Sequence, residues 1–181
     1  RVVPHHFQNA LKVLTALRNL GYRRPTFAIN ETVRQRSNHA FTAALAWATE
    51  EWREPSVPMF VSASAPPHGL QGVGAWFRQH QPDALILTGA RHIGRQLEPE
   101  IGPRATARLG LAVMSYDDAY AVPGIDQQTS LLGATAVDLL VGQIHRQERG
   151  IPLRPIVSMV EGEWVAVKSA AVGKAAPRPS R

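Results

Sequence analysis

"HFQNALKVLTALRNLGYRRPTFAIN", residues 6–30, holds two hydrophobic periods back to back. Phe7, Ala10, Leu11, Leu14, Leu17 and Leu20 recur every three or four residues, which places them on one face of a helix that Gly21 closes. Past Arg24 that period is lost, and "PTFAIN" (25–30) is an apolar run of strand length. A helix running directly into a buried strand is half of an α/β repeat. The fold class therefore turns on whether the alternation continues.

It continues to residue 116. "RQRSNHAFTAALAWATEEW" (34–52) reads as one helix with Phe41, Ala44, Leu45, Ala48 and Trp52 on a common face, and "VPMFVS" (57–62) as a strand. A loop with Pro66, Pro67 and Gly69 leads to a helix near 70–80. The Pro-Asp turn of "QPDALILTG" opens an apolar strand at 84–87, a short helix occupies 91–98, and "LGLAVMSY" (109–116) is another buried strand. Apolar strands separated by helices describe a parallel sheet covered on both faces. Beyond Asp126, "QTSLLGATAVDLLVGQIHRQERG" (128–150) is one long helix stopped by Gly150 and Pro152, and "PIVSMVEG" and "EWVAVKSA" are short extended runs.

Composition narrows the function classes. A chain of 181 residues, 44% of them apolar, can bury one sizeable domain or two small lobes. It has no cysteine, which removes disulfides and thiolate metal sites and suits a reducing compartment. No window has the length of a membrane-spanning apolar run, and residues 1–20 lack the order of a signal peptide, so a soluble, cytoplasmic protein is expected. The net charge of +6 points only weakly to nucleic acid. Lys168, Lys174, Arg178 and Arg181 sit in a Pro/Ala-rich tail without acids, and the rest of the chain holds 16 bases against 14 acids. That tail, 170–181, is expected to be disordered.

In order and spacing, "ALRNLGYRRPTFAIN", "PDALILTG", "AVMSYDD", "PGIDQQTSLLGATAVDLLVGQIHRQERGIPLRP" and "VEGEW" resemble the effector-binding core of the lactose-repressor (LacI) family of transcription regulators, over about residues 7–169. The resemblance implies the type I periplasmic-binding-protein-like fold: two parallel-sheet αβα lobes joined by crossing segments, with a small effector between them. It assigns 1–22 and 127–161 to what remains of a first lobe, 23–126 to the second lobe and 162–169 to a crossing strand. The headpiece that reads DNA and the first lobe's opening strands would lie upstream, so the sequence is read as a fragment with an incomplete first lobe. The chain by itself is not expected to read DNA.

The same resemblance supplies the candidate ligand contacts. Asp117, the first acid of "YDD" at the end of a strand, would accept hydrogen bonds from effector hydroxyls, while Asp118 would shape the turn. The alternative for Asp117 is an Asx-turn carboxylate bonded to nearby backbone. Arg34 and Arg36 both fall where the family carries an effector-binding arginine, with a solvated helix face as the alternative. Gln127 stands where the chain returns to the first lobe, beside the cleft, or else merely precedes the long helix. Gly89-Ala90, followed by Arg91 and His92, replaces a polar pair usual in the family.

No cofactor and no metal site are expected. His5, His6 and His39 lack partners at ligand spacing, and Trp47, Trp52, Trp76 and Trp164 sit at positions that suit the core better than a sugar platform. The implied function is effector sensing by a homodimeric, DNA-binding regulator, without catalysis, the effector being a carbohydrate. Two other readings share the fold: a periplasmic solute-binding protein, and a Mg²⁺-dependent phosphoryl-transfer enzyme using Asp117 and Asp118. The latter lacks a P-loop, a Gly-rich phosphate fingerprint and a nucleophile elbow.

Overall fold

The computed structural model describes residues 1–63, 70–89 and 93–167. The expected loop with Pro66, Pro67 and Gly69, the Ala90–His92 segment and the tail at 170–181 lie outside the described residues. The elements run β1 (Val2–Pro4), α1 (His6–Asn19), β2 (Pro25–Asn30), α2 (Glu31–Arg36), α3 (Ala40–Trp52), β3 (Phe60–Ser62), α4 (Val73–His80) and β4 (Ala84–Leu87). They continue with α5 (Ile93–Ile101), α6 (Pro103–Thr106), β5 (Gly110–Val113), β6 (Gly124–Asp126), α7 (Thr129–His145), β7 (Ser158–Val160) and β8 (Glu163–Val165).

Two sheets form. The larger has the order β3-β2-β4-β5-β6-β8, parallel from β3 to β6, with β8 antiparallel at its edge. The smaller pairs β1 with β7 in parallel. The alternation legible in the sequence thus becomes an α/β architecture with a mostly parallel sheet.

The pleat sends alternate residues of each strand to opposite faces, and both faces are apolar. Phe27 and Ile29, Ala84 and Ile86, and Ala112 and Met114 pack against Ala10, Val13, Leu14 and Leu17 of α1 and Phe41, Ala44, Leu45 and Ala48 of α3. Ala28, Leu85, Leu87 and Val113 face the other way, onto Val73 of α4 and Leu97 of α5. Asp83 sets the register where two strands begin: its carboxylate accepts the backbone N–H groups of Arg23 at 2.6 Å and Arg24 at 2.9 Å. The Pro-Asp turn before β4 therefore also clamps the entry of β2.

Three features differ from expectation. The single helix at 34–52 is two helices, because Asn38 and His39 both take the left-handed conformation, at φ 51° and 59°, which a right-handed helix cannot absorb. Residues 124–126, for which the sequence showed no element, form a strand between β5 and β8. Gly124 makes this possible, since a Cβ there would collide with the Val113 carbonyl. Val2–Pro4 is a strand too short to show a period.

Helix α7, the longest at 17 residues among those described, has no buried residue. Leu132, Thr135, Leu139 and Gly142 form a half-buried stripe at helical spacing, and the helix packs on β1. Leu140 and Ile144, on other faces, are 56% and 62% exposed. A fully buried leucine and an exposed one should therefore respond differently to truncation. Leu14→Ala is expected to cost about 2–5 kcal/mol in urea unfolding, and Leu140→Ala less than about 0.5 kcal/mol because alanine favours helix. Equal losses would contradict this packing.

Candidate functional site

Between the two sheets lies a cleft of about 820 Å³, within the range that holds a small organic ligand. Its floor is the carboxyl end of the parallel sheet. Thr88 follows β4, Met114 follows β5, and Val33 lies in α2, which begins immediately after β2. Strands of a parallel sheet all point their carboxyl ends the same way, so the following loops and helix starts converge there.

One wall comes from the β2–α3 passage. Asn30 ends β2 and caps α2, its Oδ1 accepting from Val33 N at 2.8 Å, so the chain turns at once from strand to helix. The left-handed pair at 38–39 then swings the backbone, leaving Arg36, Ser37 and Asn38 on the cleft with Phe41 at the start of α3. Ser37 is buried, and its hydroxyl donates to Arg34 O at 3.0 Å. Non-glycine residues held at positive φ are uncommon, and they concentrate at ligand sites where surrounding structure enforces them.

The opposite wall is Val3, Pro4 and His6. His5 caps α1, its Nδ1 accepting from Gln8 N at 3.3 Å. His6 packs edge-on against Phe41, ring centroids 5.5 Å apart. Burial, with a smaller contribution from neighbouring His5, holds the His6 imidazole below its ordinary value of 6.5, favouring the neutral ring.

The crossings between the sheets close the cleft. Gln127 lines it, and its Nε2 donates to Met114 O at 2.6 Å, leaving Oε1 as an acceptor. Asp126 turns inward on its own loop, accepting from Gln128 N at 2.9 Å and Gln128 Nε2 at 3.1 Å. At the β7–β8 turn, Gly162 N donates to Asn9 Oδ1 at 2.8 Å, and Lys12 Nζ donates to both Gly162 O and Glu161 at 2.8 Å.

Of the residues singled out by sequence, the structure brings Arg36 and Gln127 to the cleft. Arg34 is held elsewhere: its Nε and Nη2 donate to the two Glu31 oxygens at 2.7 and 2.9 Å. Those bonds, then the one from Gln35, keep the Glu31 carboxyl below the usual range. Asp117 is exposed, does not line the cleft, and accepts from Ala119 N at 2.9 Å in an Asx turn. Asp118 accepts from the Tyr116 phenol, pushing that hydroxyl above its ordinary value. None of Trp47, Trp52, Trp76 and Trp164 lines the cleft; Trp52, Trp76 and Trp164 pack against the cores, and Arg18 sits 4.7 Å over the Trp52 ring. Sequence reasoning missed Ser37, Asn38 and His6 as cleft residues; for Ser37 and Asn38 the signal available was the polar break inside "RQRSNHAF".

No family model and no curated protein matches the sequence. Solved structures do match in three dimensions. The Lac repressor dimer bound to operator and the anti-inducer ONPF superposes with a TM-score of 0.70 at 15% identity, over 92% of this chain and 51% of that one. The chain shares its fold with this LacI-type repressor. A periplasmic binding protein/LacI transcriptional regulator from Alkaliphilus metalliredigens QYMF, complexed with D-xylulofuranose, gives 0.68 at 11% identity, over 91% of this chain and 63% of that one. A transcription regulator-like protein from Staphylococcus haemolyticus gives 0.64 at 13% identity, over 93% and 60%. The chain thus spans between half and two-thirds of the length of these proteins. Their descriptions are those of regulators and binding proteins.

The His6 environment makes stability depend on pH. Because its folded value lies below the unfolded one, protonation favours the unfolded chain, and the stability present above pH 6.5 is lost as pH falls through the lower folded value. The carboxyls that shift, Glu31, Glu148 and Glu161, start from 4.5 and act at lower pH. The melting temperature is expected to fall as pH is lowered below 6.5, and His6→Gln to flatten that slope. An unchanged slope in the variant would contradict the assignment.

Proposed function

We propose that the chain is the effector-sensing and dimerisation core of a LacI-type transcription regulator, taking a small polar molecule of carbohydrate type into the cleft and performing no catalysis. The observation that carries this reading is the placement of the cleft, at the carboxyl ends of parallel strands and between two sheets linked by crossing segments. A ligand bridging two bodies favours whichever relative orientation it contacts best, and that differential affinity is what a regulator needs. Arg36 and Gln127 are the proposed contacts. Arg34 would position the α2 backbone through Glu31, and Asp117, outside the cleft lining, would meet a ligand hydroxyl only with the carboxylate oxygen its Asx turn leaves over.

The lobe division at 22/23 and 126/127, with 162–169 as a crossing strand, belongs to the same proposal. The first boundary is better drawn before α1, since Ala10, Val13, Leu14 and Leu17 belong to the core of the six-stranded sheet. DNA would be read through a headpiece outside these residues, and the cytoplasmic homodimer follows from the two-fold logic of operators. Among the described residues, no helix is long and apolar enough to cross a membrane.

A solute-binding role is favoured by one observation, the sugar complex of the Alkaliphilus protein. The reading frame upstream of Arg1 separates the two: a helix-turn-helix supports the regulator, and a signal peptide supports transport. The phosphoryl-transfer reading gains no support, because Asp117, Asp118 and Asp126 each hold local partners and, among the described residues, no group of three or more possible ligands gathers for a metal.

Calorimetric titration of the 181-residue chain with pentoses, hexoses, and their acid and phosphate forms tests the sensing role. At least one is expected to bind, and Gln127→Ala to weaken it about tenfold through loss of one hydrogen bond. Absence of binding by every compound, or indifference to Gln127→Ala, would contradict the reading.

A further inference from the structure

The charge lining the cleft is unbalanced. Arg1 and Arg36 line both the main cleft and an adjoining recess of about 210 Å³, and among the described residues neither lining includes an aspartate or glutamate. Among the described residues neither arginine enters an ion pair, whereas Arg34, two positions away, is fully engaged by Glu31. The acids nearest in sequence to the cleft are occupied locally: Glu31 by Arg34 and Gln35, and Asp126 by Gln128.

Guanidinium groups only donate hydrogen bonds, and unpaired cations facing a recessed, partly apolar cleft raise its potential. A neutral sugar would leave both without a counter-charge. An anionic oxygen group would meet two forked donors that suit carboxylate or phosphate geometry. The remaining lining supplies what a polyol needs, since Asn38, Thr88 and the free Oε1 of Gln127 can bond hydroxyls. From this juxtaposition we propose that the ligand is a sugar-sized polyol bearing one carboxylate or phosphate, its anionic group held by Arg36 and Arg1 and its hydroxyls by Gln127, Asn38 and Thr88. The inference rests on the sensing role proposed above and names the ligand class for that site.

Matched pairs decide it. The 181-residue chain is titrated calorimetrically with D-glucose against D-gluconate and D-glucose 6-phosphate, and with D-ribose against D-ribose 5-phosphate. In at least one pair the anion is expected to bind about tenfold or more tighter than its neutral parent, with the advantage shrinking as NaCl is raised. Arg36→Gln is expected to bring that ratio close to one without moving the melting temperature, since Arg36 is exposed and makes no described internal bond. The carboxylate and phosphate arms tell which anion the site takes. If neutral sugars bind as tightly as the anions, or the ratio survives Arg36→Gln, the anionic class is overturned while the sensing role stands. If none of the five compounds binds, both are overturned.

Discussion

The buried amide of Asn9 holds the two sheets in register with each other. It lies on α1, whose apolar face is locked into the core of the large sheet, and its Oδ1 takes the N–H of Gly162 in the turn between β7 and β8. A buried backbone donor without that acceptor would carry a desolvation cost of about 1–3 kcal/mol, so the bond fixes where the turn sits. The turn also receives Lys12, and its start is tied to the beginning of α1 by His5 N donating to Val160 O at 2.8 Å. Only glycine fits at 162, because a Cβ would meet the Asp126 carbonyl and Ile125. Three chain crossings are thereby gathered into one junction, and the cleft is the space they leave over the ends of the strands.

How much of this was legible in the sequence depended on period and length. The helix over 6–19 and the strand over 25–30 were written in an apolar repeat long enough to recognise, and "ALIL" announced a strand buried on both faces. The elements that shape the cleft carried no such signal. A three-residue strand such as β1 or β6 shows no period, and the break at 37–39 depends on two consecutive residues entering a conformation that non-glycine residues take uncommonly. Arg36 and Gln127 could be found because a family pattern pointed near them. Ser37, Asn38 and His6 could not, because what brings them to the cleft is a backbone swing and a sheet-to-helix junction rather than a motif.

Helix α7 shows the limit of local reasoning from the other direction. Its sequence is apolar around most of its circumference, which in a complete core would mean burial on several sides. Here it meets a two-stranded sheet and leaves Leu131, Val137, Leu140 and Ile144 exposed. Such a sheet with one covering helix is marginal alone, so the large sheet, with helices on both faces, is the body that the stability rests on. The asymmetry leaves one wall of the cleft firmly packed and the other more exposed.

That the ligand lies over the carboxyl ends of the strands, between the sheets, is open to direct observation. Amide chemical-shift mapping of the ¹⁵N-labelled chain, titrated with the tightest-binding compound of the sugar and sugar-anion set, reports the location residue by residue. Shifts should concentrate at Val3, His6, Arg36 to Asn38, Thr88, Met114 and Gln127. Shifts confined to α4 and α5, on the opposite face of the large sheet, would contradict the assignment of the cleft as the binding site.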